Sequence, residues 1–385
     1  MRLMRLNPGV IAVAAFCVTS PAYAGPVNIA TGPVAGVDGF LRVGPDEYGS
    51  WNSVTFGGLG DTYNPLGPDG GGLGPLEACF SNGFMLFYGG GKELLSDNAS
   101  WQAVLCAGGS IGSDASLTRT VIGPNVASDT DLDGVDDMLT SSFEILGGPS
   151  PLLVDVVQEV DSVPGNSIAL LTQRYTITNV GALSATFSLL RIGDFDMLWL
   201  GTSFDDSVGT DRAVTNNTVF QQEDSTPVTR ITMVSAQATD YTGGIRGITP
   251  PGGPPYAFGT DCTEWDAFGL PASWADHIAA VGTKTNGESG SSPAGCTPTC
   301  DAHIDLNIPV VDLVSGASVT IVIRHLYGGT CAWDCEALPD GGVGITDFLQ
   351  LLADWGGASA CDFGGIPGVD ITDFLKLLGA WGPCP

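Results

Sequence analysis

Most of the chain alternates between apolar and polar residues over short runs, the pattern of β-strands with one buried face. The runs lie between residues 25 and 329 and are separated by Gly, Pro, Asn, Asp and Ser, which favour turns. Asn179-Val180-Gly181 separates two runs and predicts a hairpin, and a short helix is predicted over Ala272–Val281. We therefore expect a mainly β domain, a large antiparallel β-sandwich or supersandwich. The clearest runs are Leu152–Val160, Ile168–Thr178, Ala185–Ile192, Val228–Ser235 and Ser318–Leu326.

After about residue 330 the pattern changes to one that repeats every 26 residues, so that Trp355-Gly recurs as Trp381-Gly. Apolar residues in each copy recur at helical spacing, which predicts two short amphipathic helices. One helix cannot bury such a stripe alone. We expect the two stripes to pack against each other, with the Phe and Trp side chains of both copies buried. The stripes are Ile345, Phe348, Leu349, Leu352 and Trp355, and then Ile371, Phe374, Leu375, Leu378 and Trp381.

The first residues of the chain have the features of an export signal. Arg2 and Arg5 precede the apolar run Val10–Val18, and Ala22-Tyr23-Ala24 fits the small-x-small cleavage pattern. The run is shorter than the roughly 20 residues that span a bilayer. No later stretch of the sequence is long enough and apolar enough to span one. We expect a signal peptide over residues 1–24, a β-sandwich-like domain over 25–329 and a two-repeat module over 330–385. The mature protein is expected to be secreted, extracellular or cell-surface associated, and not membrane-spanning.

The chain is strongly acidic. It carries 42 acidic and 13 basic side chains, for a formal net charge of −29. Hydrophobic residues make up 43% of it, enough to build a core, so global disorder is excluded. Nucleic acid is excluded as a partner, because phosphate binding needs clustered Lys and Arg. The surplus of carboxylates suits Ca²⁺, which takes oxygen ligands.

If the chain is exported, its cysteines are expected to form disulfides, because the compartment outside the cytoplasm is oxidising. Ten cysteines occur and Cys17 leaves with the signal peptide, so nine remain and at least one thiol is left over. For Cys296 and Cys300, the alternative to a disulfide is a zinc site that they form with His303. The last four cysteines are expected to staple the small core of the tail. The expected pairs are Cys79 with Cys106 and Cys262 with Cys296 or Cys300, and the tail cysteines are Cys331, Cys335, Cys361 and Cys384.

An acidic loop inside the large domain has the spacing of a calcium site. Residues 129–137 read D-x-D-x-D-G-x-x-D, with Gly134 where a sharp turn is required. The segment resembles the Ca²⁺ loops of thrombospondin type 3 repeats and the first half of an EF-hand loop. The alternative is a solvated acidic turn between strands. The predicted ligands are Asp129, Asp131, Asp133, the Val135 carbonyl and Asp137.

The tail gives a loop and an amphipathic helix twice and ends in the sequence from Trp381 to Pro385, WGPCP. These features resemble the dockerin type I module, and more closely the Cys-rich dockerin-like module of secreted bacterial proteins. The resemblance covers residues 330–385 alone. It implies EF-hand-like Ca²⁺ loops and a cohesin-like or surface scaffold protein as partner. The implied ligands are Glu336, Asp340, the Gly342 carbonyl and Asp347 in the first loop, and Asp362, Asp370 and Asp373 in the second.

Both tail loops depart from the family pattern. Leu338, Ile366 and Pro367 stand where the family presents an oxygen or a glycine. The resemblance therefore supports the helix pair more strongly than it supports the metal. The alternative is a disulfide-stapled helix pair that holds little or no Ca²⁺.

The sequence contains no Gly-x-Ser-x-Gly, His-Glu-x-x-His or phosphate-loop motif, so the catalytic residues are unknown and no organic cofactor is expected. The favoured function is a secreted, calcium-binding β-sandwich protein that its tail attaches to a cell surface or extracellular scaffold, with polysaccharide as a candidate ligand. The alternative, implied by the resemblance, is a dockerin-bearing carbohydrate-active hydrolase with glycoside hydrolase-like activity. The candidates for stacking on sugars are Trp51, Trp101, Trp199 and Trp265.

Overall fold

The structure, a computed structural model, describes residues 27–31, 40–51, 59, 61–64, 81–95, 117–162, 168–195, 206–209, 217–223, 229–245, 302–328, 333–336, 342–363 and 368–383. Several sequence-based expectations lie outside these ranges. They are the signal peptide, the helix over Ala272–Val281, the cysteines Cys79, Cys106, Cys262, Cys296, Cys300, Cys331 and Cys384, the tryptophans Trp101, Trp199 and Trp265, and Asp340.

The largest element is an eight-stranded antiparallel sheet in the order β11-β12-β13-β16-β9-β8-β7-β6. Along its long strands fully buried residues alternate with mostly half-buried ones over most of their length, which is why the sequence pattern located them. The strands are β6 (Thr118–Ser128), β7 (Met138–Leu146), β8 (Leu152–Ser162), β9 (Ala169–Asn179), β11 (Asp206–Gly209), β12 (Thr218–Glu223), β13 (Thr229–Val234) and β16 (Ser318–Tyr327).

A five-stranded sheet in the order β14-β15-β10-β4-β5 packs on the first, and a three-stranded sheet, β1-β2-β3, lies beside them. These antiparallel sheets confirm the mainly β fold that the sequence predicts. The strands are β1 (Ile29–Ala30), β2 (Phe40–Val43), β3 (Asp61–Asn64), β4 (Ser81–Tyr88), β5 (Gly91–Leu95), β10 (Ala185–Asp194), β14 (Asp240–Ile245) and β15 (Ala302–Leu313).

The predicted hairpin at Asn179-Val180-Gly181 is wrong. The strand before it, β9, pairs with β8 and β16, whereas the strand after it, β10, pairs with β4 and β15 in the other sheet. The connection therefore crosses from one layer of the sandwich to the other. Alternation along a strand shows that one face is buried, but it does not show which sheet the strand joins.

The core lies between the two large sheets, where side chains from alternate positions of facing strands meet. Phe84 on β4 and Tyr175 on β9 pack across the layers, with ring centroids 4.4 Å apart. Burial of these rings and the aliphatic residues around them is the main force that holds the sheets together. This cluster includes Phe84, Leu86, Phe143, Val154, Val156, Tyr175, Ile177, Phe187, Leu189, Ile308, Ile321 and Ile323.

The outer face of the eight-stranded sheet is polar at one end and apolar at the other. At the polar end, the hydroxyl groups of Thr176 and Thr320 lie 3.1 Å apart across β9 and β16. At the other end, Leu170 on β9 is directly opposite Leu326 on β16, and both are buried. A buried leucine on an outer face needs a cover, and the C-terminal tail provides it.

The tail consists of two helices, α1 (Ile345–Ala353) and α2 (Ile371–Gly379), and a two-stranded ribbon of β17 (Gly342–Val343) and β18 (Gly382–Pro383). A disulfide joins Cys335 to Cys361, which occupy equivalent positions in the two repeats. This bond confirms part of the expected cysteine staple. No helix in the described parts of the chain is both long enough and apolar enough to cross a membrane.

The tail and the sandwich share one hydrophobic cluster, so the tail is not a loosely tethered unit. Ile168, Leu170, Val234 and Leu326 of the sandwich are buried together with Leu351 and Leu377 of the tail. An ion pair between Arg324 of β16 and Glu336 of the tail, 3.7 Å long, lies at the same end. Contacts of this kind hold the tail in one orientation on the sheet.

The expected packing of the helical stripes holds only for their phenylalanines and is wrong for the rest of each stripe. Trp355 and Trp381 are each 50% exposed, and Phe348 and Phe374 are only partly buried, with their ring centroids 5.9 Å apart between the helices. The fully buried positions are instead Asp347, Leu351, Asp373 and Leu377. Asp347 and Asp373 turn inward because their carboxylates cap the loops, and the leucine one turn later follows each of them inside.

Two neighbouring leucines of α1 provide a test of this packing. Leu351→Ala should lower the free energy of unfolding by about 2–5 kcal/mol, because it leaves a cavity in the shared cluster. Leu349→Ala, at an exposed position of the same helix, should change it by less than about 0.5 kcal/mol. Urea unfolding in dilute solution measures both. Equal losses in the two variants would contradict the assignment of the inward face.

Candidate functional site

The acidic loop between β6 and β7 brings three carboxylates together. One oxygen from each of Asp129, Asp131 and Asp133 lies within 4.8 Å of the others. Asp129 is half-buried, whereas Asp131 and Asp133 are exposed. Carboxylate oxygens at alternate positions of a short loop are the donor set that Ca²⁺ takes in proteins. The residues present therefore fit the metal that the sequence predicts for this loop.

The loop keeps its shape through hydrogen bonds from its own backbone. Asp129 accepts from the N–H groups of Leu132 (2.7 Å) and Gly134 (2.9 Å). Asp133 accepts from the N–H of Val135 (2.8 Å). Leu132 and Gly134 have positive φ values of 66° and 96°, a region that glycine adopts freely and leucine rarely does. The chain thus turns tightly enough for the three carboxylates to converge.

Of the other predicted ligands, Asp137 lies in the loop but outside this group, and the Val135 carbonyl stays a prediction. Both oxygens of the buried Asp137 accept hydrogen bonds from Thr130, one from its N–H (2.8 Å) and one from its hydroxyl (2.6 Å). Val135 donates its N–H to Asp133, as described above. Asp137 therefore fastens the two ends of the loop together, and the converging group consists of three carboxylates.

Negative charge accumulates at this end of the sandwich. The N–H of Asp133 lowers the pKa of Asp131, but desolvation and the charges of Asp133, Asp137 and Asp129 outweigh it and raise that pKa above its ordinary value. Burial raises the pKa of Asp161 on neighbouring β8, and the charges of the loop add to the shift. A bound cation would relieve this repulsion.

The predicted tail ligands make backbone hydrogen bonds. The fully buried Asp347 accepts from the N–H of Cys335 (2.6 Å), and the fully buried Asp373 accepts from the N–H of Phe363 (2.7 Å). Each also accepts from the N-cap residue of its own helix. These bonds connect each loop to the helix that follows it, in the way a capping box does.

The remaining tail ligands do not converge with them. Asp362 accepts from Gly368 (2.7 Å), and the N–H of Thr372 lowers the pKa of Asp370, the N-cap residue of α2. Glu336 pairs with Arg324, and Gly342 lies in β17. Among the residues that the structure describes, the only group of three potential metal ligands is that of Asp129, Asp131 and Asp133.

The sequence pattern did not predict the buried segment, residues 44–51, an irregular stretch that is fully buried between the sheets. A buried irregular backbone leaves carbonyl groups that need donors, and inward side chains of the eight-stranded sheet supply them. The donors are the Ser141 hydroxyl to Glu47, the Gln158 amide to Asp46, the Gln173 amide to Gly49 and the Tyr175 hydroxyl to Tyr48.

Gly49 and Trp51 show how closely the buried segment fits. Gly49 has a φ of +85°, and a Cβ atom there would lie 1.9 Å from the Tyr175 hydroxyl, so only glycine is accommodated. Trp51, predicted as a candidate for stacking on sugar, is buried and donates its indole N–H to Asp61 (3.3 Å). The composition of the segment, rich in Gly, Pro, Asp and Glu, is typical of an exposed turn and contained no signal of this role.

His325 lies at the centre of this polar layer. It is fully buried, its ring centroid is 5.3 Å from that of Trp51, and Nε2 lies 3.2 Å from the amide oxygen of Gln173. Nδ1 has no hydrogen-bond partner among the described residues. Desolvation, with the nearby charge of Arg191, holds the pKa of His325 well below its ordinary value. The imidazole is therefore neutral, and Gln173 links it to the buried segment.

Comparisons with known proteins identify no family: no family model and no curated protein matches the chain. One similar solved structure is that of a putative aldose 1-epimerase from Escherichia coli K12, with 12% identity, a TM-score of 0.35 and coverage of 78% of this chain and 99% of that one. Another is a polysaccharide lyase, with 10% identity, a TM-score of 0.28 and coverage of 80% of this chain and 33% of that one. This chain therefore spans about a third of the length of the lyase.

Calcium should raise the stability of the protein through the acidic loop. A cation that binds only the folded state must stabilise it, by about 2.7 kcal/mol at a hundredfold excess over Kd. Extracellular sites bind Ca²⁺ at roughly 10⁻⁴–10⁻³ M, so millimolar Ca²⁺ should raise the melting temperature and chelator should lower it. Asp131→Asn should abolish most of this response. Its stability in chelator should stay close to that of the native chain, because the change also relieves repulsion.

Asp136→Asn is the matched control for this experiment. It removes the same charge from the same loop, but Asp136 is not in the converging group. Its Ca²⁺ response should equal that of the native chain. If both variants respond alike, or if the native chain ignores Ca²⁺ and chelator, the loop is a solvated acidic turn.

His325 should make the folded state less stable in mild acid. In the unfolded chain this histidine takes up a proton below about pH 6.5, whereas the folded protein keeps it neutral. The unfolded state then binds more protons, so the free energy of unfolding should fall by up to about 1.4 kcal/mol per pH unit below pH 6.5. His325→Gln should remove this part of the dependence. Urea unfolding of both proteins between pH 8 and pH 5 measures the difference, and parallel profiles would contradict the prediction.

Proposed function

We propose that this chain is an exported, non-enzymatic β-sandwich protein that its C-terminal tail attaches to a cell-surface or extracellular scaffold. Ca²⁺ in the acidic loop stabilises the sandwich. The observation that carries the proposal is the tail face, defined as the exposed apolar side of α1 and α2. It consists of Ile345, Leu349, Leu352, Trp355, Ile371, Leu375, Leu378 and Trp381.

The tail face is unusual for the surface of a soluble protein. Its eight large apolar side chains are each between 44% and 61% exposed. Single exposed apolar residues are common on protein surfaces and need no explanation, whereas a contiguous apolar patch of this size is typical of an interaction site. A protein partner such as the cohesin-like or surface scaffold protein implied by the dockerin resemblance would cover it.

The way the tail is mounted supports a role in attachment. Leu351 and Leu377 on the inner side belong to the buried cluster that the tail shares with the sandwich, so the opposite side of each helix faces outward. The disulfide between Cys335 and Cys361 connects the two repeats. A partner would thus meet a pre-ordered surface, which lowers the entropy cost of binding.

Polysaccharide is the ligand class that we propose for the sandwich. The support is the dockerin resemblance, since modules of that kind accompany carbohydrate-active domains. In the described part of the sandwich, the buried segment fills the space between the sheets and hydrogen-bonds to both of them. Recognition of a sugar chain is therefore assigned to the outer surface, and the proposal includes no reaction.

Attachment can be tested by changing the tail face without unfolding the protein. The double variant Leu349→Asp/Leu375→Asp places one charge on each helix at positions that are 57% and 61% exposed. It should move the protein from the cell-surface fraction to the soluble fraction of the cell that produces it. Fractionation with an antibody against the sandwich measures this, and circular dichroism verifies the fold.

Val310→Asp/Val314→Asp is the matched control, because these valines are similarly exposed at 64% and 66% but lie outside the tail. The control should fractionate like the native chain. A tail-face variant that stays on the surface would show that the tail does not attach the protein.

A further inference from the structure

The two helices of the tail present the same residues twice. Ile345, Leu349 and Leu352 of α1 recur at the same spacing as Ile371, Leu375 and Leu378 of α2, and a half-exposed Trp follows each helix. Phe348 and Phe374 meet between the helices, so the two stripes lie on either side of that contact. The tail face therefore has an approximate two-fold symmetry.

We propose that, before attachment, the tail face of one chain is covered by the tail face of a second copy. A symmetric homodimer uses the same patch on both subunits, which must be complementary to itself. Two equal apolar stripes allow such a pairing, because after rotation the α1 stripe of one chain can face the chemically equivalent α2 stripe of the other. No other surface in the described residues offers a repeated apolar pattern of this kind.

The area of the tail face is sufficient for a stable pair. Its eight side chains are about half exposed. Together they present on the order of 800 Å², which is what each partner contributes to a standard protein–protein interface. The largest apolar patch on a typical monomer is smaller, roughly 300–600 Å².

The charge pattern also permits the pairing of two strongly acidic chains. The full chain has a net charge of −29, so most pairs of surfaces would repel each other. Asp347 and Asp373, the acids within α1 and α2, are both fully buried. The remaining charged residue of the two helices is Lys376, whose ammonium group donates to the Phe363 carbonyl (2.5 Å). The acids that flank the helices, Asp354 and Asp370, are half-buried and accept hydrogen bonds from Gln350 and Thr372. Two tail faces can therefore meet without a fully exposed carboxylate from either helix.

The partner of the proposed function and the second copy would compete for one surface. Only this competition rests on the proposed function. Self-pairing follows from symmetry, area and charge without it. The pairing would keep the apolar face out of water until a scaffold partner displaces one copy.

Sedimentation velocity of the full mature chain over a range of protein concentrations tests the pairing. The native chain should be a dimer that persists at high salt, because salt screens the repulsion and leaves apolar contacts intact. Leu349→Asp/Leu375→Asp should be monomeric or have a Kd raised by roughly 100-fold or more. Val310→Asp/Val314→Asp adds the same charge elsewhere and should remain a dimer.

Three outcomes would overturn the inference: a native chain that stays monomeric at every concentration, a dimer that survives the tail-face changes, or equal loss of the dimer in both variants. If the tail-face variant proves unfolded, Leu352→Lys/Leu378→Lys gives a second reading at exposed positions with the opposite charge. The two proposals fail separately. A monomeric native chain that the tail-face variant still releases from the surface refutes pairing alone. A dimer whose tail-face variant remains on the surface refutes attachment alone.

Discussion

The burial of Leu170, Val234 and Leu326 beneath the tail is the contact on which the rest of the arrangement depends. These side chains lie on the outer face of a sheet that is otherwise polar there, so they require a cover. The tail provides it through one shared buried cluster, to which Leu351 and Leu377 belong, and the burial of these two leucines fixes the inner side of each helix. The other side must then face outward, whatever its composition. The apolar tail face is thus a consequence of how the tail is mounted, and it needs a cover of its own.

The interior of the sandwich solves a different problem. The buried segment has no secondary structure to satisfy its carbonyls, so amide and hydroxyl side chains from β7, β8 and β9 do so. Burying any of these donors or carbonyls without its hydrogen-bond partner would lower the stability of the folded state. Segment and sheet therefore specify each other. His325 depends on both, because the Gln173 amide that its ring contacts also donates to the Gly49 carbonyl.

The sequence could predict those features that depend on residues close together in the chain. Alternation located β8, β9 and β16 because each has one buried face, and the three aspartates of the acidic loop were found from spacing alone. The partner sheet of β10, the inner side of α1 and the burial of residues 44–51 depend on contacts distant in sequence. The side of α1 that contains Leu349 is as apolar as the side that contains Leu351. Periodicity therefore could not decide which of the two sides faces inward. The capping role of Asp347 could have done so.

The distribution of acidic residues connects these features. A buried carboxylate is tolerated when backbone N–H groups satisfy it, and Asp347 and Asp373 each accept at least two such bonds. Serine can cap a helix as well, but it could not reach both the loop and the N-cap residue from the third helical position. The use of Asp there places the acids of both helices inside. In a chain with 42 acidic residues, it leaves the outward stripes without one. The same choice that closes the loops therefore also produces the uncharged surface on which another molecule can dock.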